Sequence, residues 1–222
     1  ATLNLFRVET ESLFRNLADY HEKLEDQIPL IQQSELEKIQ LWAKQEAVDA
    51  LDYYTALDEV QLNYQYSFPQ SLRYSFIVLL FIVVEKQLTE FCRYIERKHK
   101  LPIRSNELKG GFIERAKIYS HKLAGISKDG VNWKNVEDLS VIRNCIVHTM
   151  GDVKDSRDKA RIQQIASMNI GLSIGIKEFE DADTLQLTSE YCSRAVEDIQ
   201  VFFDELFDTA GVGEKWVRTK KL

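Results

Sequence analysis

The sequence predicts a mainly α protein: a helical bundle preceded by an N-terminal helical pair, with one small β-hairpin before the last helix. Three observations predict it. Apolar residues recur at steps of three, four and seven along most of the 222 residues. Only three prolines and nine glycines punctuate the chain, which leaves little room for long linkers or disorder. Two alternating runs face each other across a turn, Ile170, Leu172, Ile174 and Ile176, and then Leu185 and Leu187 beyond the Glu180-Asp181-Ala182-Asp183 turn, which reads as a hairpin.

The first helix is read from Phe6, Leu13, Leu17, Tyr20, Leu24 and Ile28, with Pro29 expected to bend or interrupt it. A second pattern follows through Leu36, Ile39, Ala43, Ala47, Leu51, Tyr54 and Leu57, with Glu37, Lys38, Lys44, Glu46, Asp49, Asp52 and Asp58 opposite. These helices are expected to form an antiparallel pair packed on the main body; the alternative is a partner-binding arm. Residues 1–66 are thus an N-terminal extension and 67–222 the main helical domain, the two forming one unit. Leu62, Tyr64, Tyr66 and Phe68 alternate, predicting an extended connection or very short strand, and Pro69 suits the first turn of the next helix.

That next helix runs to about Lys100 and is expected to be the core. Its Phe76–Val84 run is apolar all round, so it should be covered on several sides, one of them by another subunit. Arg104 to Leu123 reads as a shorter helix capped by Ser105 or Asn106, stopping at Gly125. A helix from about Asn132 to Met150 ends at Gly151, and Asp152–Arg161 is a charged stretch. Thr188 or Ser189 caps a last helix lined by Tyr191, Ala195, Ile199, Phe202 and Leu206, and a short basic tail follows from Lys215 to Lys221.

Bulk composition narrows the function classes. The net charge of −6 gives no general attraction to nucleic acid, so any such binding needs a local basic surface. Lys109, Arg115, Lys117, Lys122 and Lys134 supply one in sequence, with Arg104 and Lys128 nearby. Cys92, Cys145 and Cys192 are odd in number and widely spaced, which fits a reducing cytoplasm. The longest apolar run is nine residues, whereas a bilayer span needs roughly 20; no membrane association is expected. No metal-ligand spacing, phosphate-cradling loop or other cofactor motif is present, so no metal and no cofactor are expected.

The unusual segment is Val141–Gly151, in which Arg143, Asn144 and His148 interrupt apolar residues. On a helical wheel, Val136, Leu139, Ile146, Val147 and Met150 fall within roughly 60° of Arg143, placing it in the main apolar stripe. Asn144 and His148 share another face one turn apart. One reading is structural: a core histidine and an arginine paired to carboxylates. The other is functional. His148 lies within a turn of the helix C-terminus, where the dipole favours a protonated ring, which suits general acid or base work. Cys145 and His148 also suggest a thiol–imidazole pair, but no orienting third residue accompanies them. His21, His99 and His121 are isolated and expected at the surface.

The segment Arg143-Asn144-Cys145-Ile146-Val147-His148 resembles the R-x4–6-H motif of HEPN domains, in whose common form a polar residue, often Asn, follows the Arg. Its setting strengthens the resemblance. It lies near a helix C-terminus, after a long hydrophobic helix and a basic helix and before a final amphipathic one. The resemblance covers roughly Pro69 to Ala210 and implies a HEPN-like helical bundle, with the N-terminal pair and hairpin as additions. It implies a homodimer with two motif copies facing one cleft, and a metal-independent endoribonuclease acting on RNA, often within toxin–antitoxin or phage-defence systems and so with an antitoxin protein as partner. It implies Arg143, Asn144 and His148 as catalytic residues. The alternative it leaves open is a non-catalytic HEPN module that binds RNA, a nucleotide or a partner protein. Met150 stands where some family toxins carry an acceptor tyrosine, so the resemblance does not extend to that regulation.

Overall fold

Antiparallel pairing of two very long helices sets the architecture of the computed structural model, which describes residues 4–46, 48–176 and 183–213. Helix α1 spans Leu5–Gln45, capped by the Asn4 side chain, which accepts from the Phe6 N–H. Helix α2 spans Ala50–Leu62, a π-helical turn covers Asn63–Ser67, and α3 spans Phe68–His99. These three join end to end into one helical run of 50 residues. Contacts between α1 and this run fix an antiparallel register: Asn4 Nδ2 donates to Tyr94 (3.2 Å), the Thr10 hydroxyl lies 3.0 Å from Gln87 Oε1, and Arg73 donates to both Glu25 oxygens (2.7 and 2.8 Å).

Several expectations change here. Pro29 lies inside α1 without ending it. The reversal comes instead at residues 46–49, so Leu36, Ile39 and Ala43 belong to α1 while Leu51, Tyr54 and Leu57 belong to α2; Ala47 lies outside the described residues. The alternating segment before Pro69 is no strand. There the Phe68 N–H bonds to the Asn63 carbonyl, and the wider turn accommodates a proline that has no N–H to give. No break in the helical path falls near residue 66.

The rest of the chain builds a body around the base of this hairpin. A 3-10 turn (Ser105–Glu107) leads to α4, Phe112–Lys117, which continues as a π-helical turn, Ile118–Leu123. The expected single helix from Arg104 is thus divided, and Gly111 rather than Ser105 or Asn106 opens α4. Helix α5 is Trp133–Thr149, capped by Asn132, and α6 is Lys159–Met168, which the charged stretch in the sequence concealed. Strands β1, Leu172–Ile176, and β2, Asp183–Leu187, pair antiparallel with Leu172 opposite Leu187. The predicted hairpin turn at 180–182 and the basic tail from Lys215 lie outside the described residues. Helix α7, Ser189–Thr209, starts at a Thr188 cap.

One continuous core joins α1, α3, α5 and α7, including Phe14, Leu80, Phe91, Ile142, Phe202 and Phe207. Its firmest polar tie is Arg7, fully buried, which pairs with Glu11, Asp204 and Asp208. The apolar run in α3 is covered on one side only. Phe76, Ile77, Leu80, Phe81 and Val84 are buried, whereas Leu79 and Ile82 are exposed. By length and composition alone, an 18-residue window of the Ala50–His99 run is apolar enough to cross a membrane, with 33% of it buried in the body.

The end of the hairpin leaves the body. Among the described residues from 26 to 68, none is buried. This two-helix arm exposes Leu30, Ile31, Leu41, Leu51, Tyr54, Leu62, Tyr66 and Phe68. It also concentrates the charge. Between residues 26 and 68 there are eight carboxylates (Asp26, Glu35, Glu37, Glu46, Asp49, Asp52, Asp58 and Glu59) against Lys38 and Lys44, a net −6 that equals that of the whole chain. Residues outside 26–68 sum to zero net charge in the sequence.

Candidate active site

Helix α5 presents the motif, and its ends are tightly held. Asn132 caps the start, its Oδ1 accepting from the Lys134 N–H at 3.2 Å. At the other end Met150 and Gly151 both adopt left-handed backbone, with φ of 54° and 86°. The chain then pairs with the hairpin: the Leu185 N–H donates to the Gly151 carbonyl (2.8 Å) and the Val153 N–H to the Asp183 carbonyl (2.8 Å). Tyr74 of α3 closes the junction by donating to the Leu185 carbonyl at 2.7 Å. The last turn of α5, with His148, is thus fixed to both α3 and β2.

The buried stripe of α5 differs from the one the wheel predicts. It comprises Trp133, Val136, Asp138, Leu139, Ile142, Cys145 and Ile146. Val147 and Met150 are exposed, at 42% and 78%. The centre of the stripe therefore falls near Ile142, and Arg143 lies on its border. A buried carboxylate, Asp138, displaces the apolar pattern: it accepts from Lys134 at 2.8 Å and from Arg161 of α6. In the sequence Arg161 is only part of a charged stretch, since a partner from a separate helix carries no local signal.

Arg143 is half-buried, with its Cζ 5.3 Å from the centroid of the Phe81 ring of α3. Nη1 donates to Asn144 Oδ1 at 2.9 Å. Nε is buried without a hydrogen-bond partner, and no carboxylate pairs with Arg143 among the described residues. Because Asn144 Oδ1 accepts from Arg143, the Asn144 amide group is left to donate. His148 is exposed, and no described side chain bonds its ring. Arg143 and His148 remain about 140° apart around the helix, roughly 7.5 Å along it. Val147 and Met150, on the same helix, are exposed beside them.

The other candidates separate. Cys145 points inward, its Sγ 3.5 Å from the Thr149 hydroxyl, and burial pushes its thiol pKa up, so it is no partner for His148. His21 is buried rather than superficial. Its Nε2 lies 3.4 Å from Glu25 Oε1 and its ring packs on Phe76 at 4.5 Å. His121 is half-buried, with Nε2 accepting from Trp133 Nε1 at 2.8 Å. The basic residues do not form one surface. Lys109 stands alone in a loop, Arg115 donates to the Gly110 carbonyl at 3.0 Å, and Lys134 turns to Asp138. Only Lys117 and Lys122 come together, at a cavity they share with Lys128. Among the described residues, no three His, Cys, Asp or Glu side chains converge on a metal-sized site.

Cavities among the described residues include one of about 60 Å³ between α5, α6 and α7, one of about 300 Å³ between α1 and α7, and one of about 210 Å³ beside Trp133. None of these is lined by Arg143, Asn144 or His148. Comparison with known protein families, curated proteins and solved structures finds no match to this chain.

Proposed function

We propose that this protein is a metal-independent endoribonuclease of HEPN type, active in the cytoplasm as a homodimer whose two Arg143–His148 faces form one cleft. The observation that carries this reading is the state of Arg143. A half-buried guanidinium with one orphaned N–H and no carboxylate partner is expensive unless an anion completes it. The structural alternative required such a carboxylate. The exposed apolar side chains beside the motif support the dimer, because Val147 and Met150 would be covered by a second copy. Confinement of the net negative charge to the arm leaves the body free of general repulsion toward RNA.

The residue types suit transesterification. The 2′-hydroxyl oxygen attacks the adjacent phosphorus while one His148 takes its proton. The bond from phosphorus to the 5′-oxygen breaks, and the second copy's imidazolium protonates that oxygen. Arg143 stabilises charge on the non-bridging oxygens, with Asn144 donating beside it. The products are a 2′,3′-cyclic phosphate and a free 5′-hydroxyl. A toxin–antitoxin or phage-defence setting, with an antitoxin as protein partner, follows from the same resemblance.

The test is RNA cleavage in EDTA by wild type, Arg143→Ala and His148→Ala, with thermal melts alongside. Each variant is expected to keep its fold and to lose roughly 100-fold or more in rate. Loss of folding in both variants would instead make the two residues structural. A second reading, a HEPN module that binds RNA, a nucleotide or a protein without cutting, is favoured by the ring of His148, which no described group orients. Folded wild type that cuts no RNA under any condition supports it.

A further inference from the structure

The cavity beside Trp133 lies at the opposite end of α5 from the motif. Its lining is Lys117, Ile118, His121, Lys122, Lys128 and Trp133. The walls are almost entirely carbon and the rim is cationic. Lys122 and Lys128 are exposed, and no described carboxylate pairs with either. Lys117 is committed: it pairs with Glu137 and lies 5.5 Å above the Trp133 ring. The imidazole of His121 braces the wall. It accepts from Trp133 through Nε2, so Nδ1 carries the proton and donates to the Ile126 carbonyl at 2.9 Å. The π-helical turn Ile118–Leu123 supplies three of the lining residues, a departure from regular helix of the kind that often marks functional sites.

An apolar pocket with two free lysines on its rim fits a flat, weakly polar ring carrying an anionic group. A nucleotide has that chemistry, its base entering the pocket and its phosphates meeting Lys122 and Lys128. Helical periodicity connects this place to the motif. Trp133, Glu137, Ser140, Asn144 and His148 recur at steps of four, three, four and four, so they follow one line along α5. From Trp133 to His148 that line is roughly 22 Å long. We propose that the Trp133 cavity is a nucleotide-binding subsite that anchors single-stranded RNA, with the strand running along α5 toward Asn144 and His148. The choice of RNA over a free nucleotide rests on the ribonuclease reading. A paired duplex keeps its bases stacked and cannot place one in the pocket.

The test uses full-length protein carrying His148→Ala, to prevent cutting, and Trp42→Phe with Trp216→Phe, so that emission reports Trp133. An unstructured oligoadenylate about ten nucleotides long is expected to shift that emission on binding. Adding Lys122→Glu with Lys128→Glu, both at exposed positions, should weaken binding roughly tenfold or more and make the salt slope shallower by about 1.4, two phosphate contacts' worth. An RNA duplex of equal length should leave the emission unchanged. Equal affinity for the duplex, or for AMP alone, overturns the proposal, as does oligonucleotide binding that ignores the charge reversal. The two readings fail separately. RNA cleavage by otherwise wild-type protein that is indifferent to Lys122→Glu and Lys128→Glu sinks the subsite and spares the ribonuclease. Binding at Trp133 without cleavage by wild type does the reverse.

Discussion

A methyl group at residue 151 has nowhere to go. The Cβ of an alanine there would lie 1.9 Å from the Tyr74 hydroxyl oxygen, on a backbone with φ of +86°. Relief requires moving Tyr74 and breaking its bond to the Leu185 carbonyl, which joins α3 to the hairpin. Gly151→Ala is expected to cost on the order of 2–3 kcal/mol. Gly125→Ala, where φ is +69° but nothing stands within 4 Å, should cost clearly less; urea titration of both variants measures the difference. The same contrast explains what the sequence discloses at this scale. The glycine after α5 is legible as a helix stop, but the tyrosine that makes it irreplaceable is not. Arg143 is likewise conspicuous in an apolar segment, whereas its placement over Phe81 is a contact between separate helices that no periodicity encodes.

At the level of elements, the helices and the hairpin were legible because their apolar spacing is strong. Their joints were not. Proline is the most reliable local breaker, and Pro69 does take the expected place in the first turn of α3, yet Pro29 sits within α1. Helix α6 leaves little trace in the sequence because its apolar face is short, with only Ile162 and Ile165 buried. The clasp between the two long helices has a measurable consequence. Burial alone would raise the Glu25 pKa; the Arg73 guanidinium and, after it, the His21 imidazole outweigh burial and lower it from 4.5 to about 2. A depressed carboxyl contributes stability above its unfolded pKa and loses it as pH falls toward the folded one. The contribution is on the order of 3 kcal/mol above pH ~4.5 and vanishes near pH 2. Thermal melts should therefore show Glu25→Gln well below wild type at pH 7, with the gap closing between pH ~4.5 and ~2. A gap independent of pH would mean that packing, not charge, holds the clasp.

For the molecule as a whole, charge and apolar surface are unevenly shared. The body has the core, the motif and nearly balanced charge; the arm has most of the negative charge and a row of exposed apolar side chains. Composition reports only the average, and it does not show that the acidic excess lies away from the motif; any RNA binding still needs a local basic surface. The alternative weighed for the N-terminal pair, a partner-binding arm, gains from the same distribution, since only the base of the pair packs on the body.

The arm also alters how the molecule moves through solvent. From residue 26 to Gln45 its helices project roughly 30 Å. A compact chain of this length has a radius of gyration near ~17 Å. X-ray scattering should give a larger value, with a long tail of interatomic distances, even for a single chain. A sizing column will then report too large a mass, and a monomer could pass for a pair. The number of chains in the active species should be counted by light scattering or sedimentation equilibrium, neither of which is misled by drag.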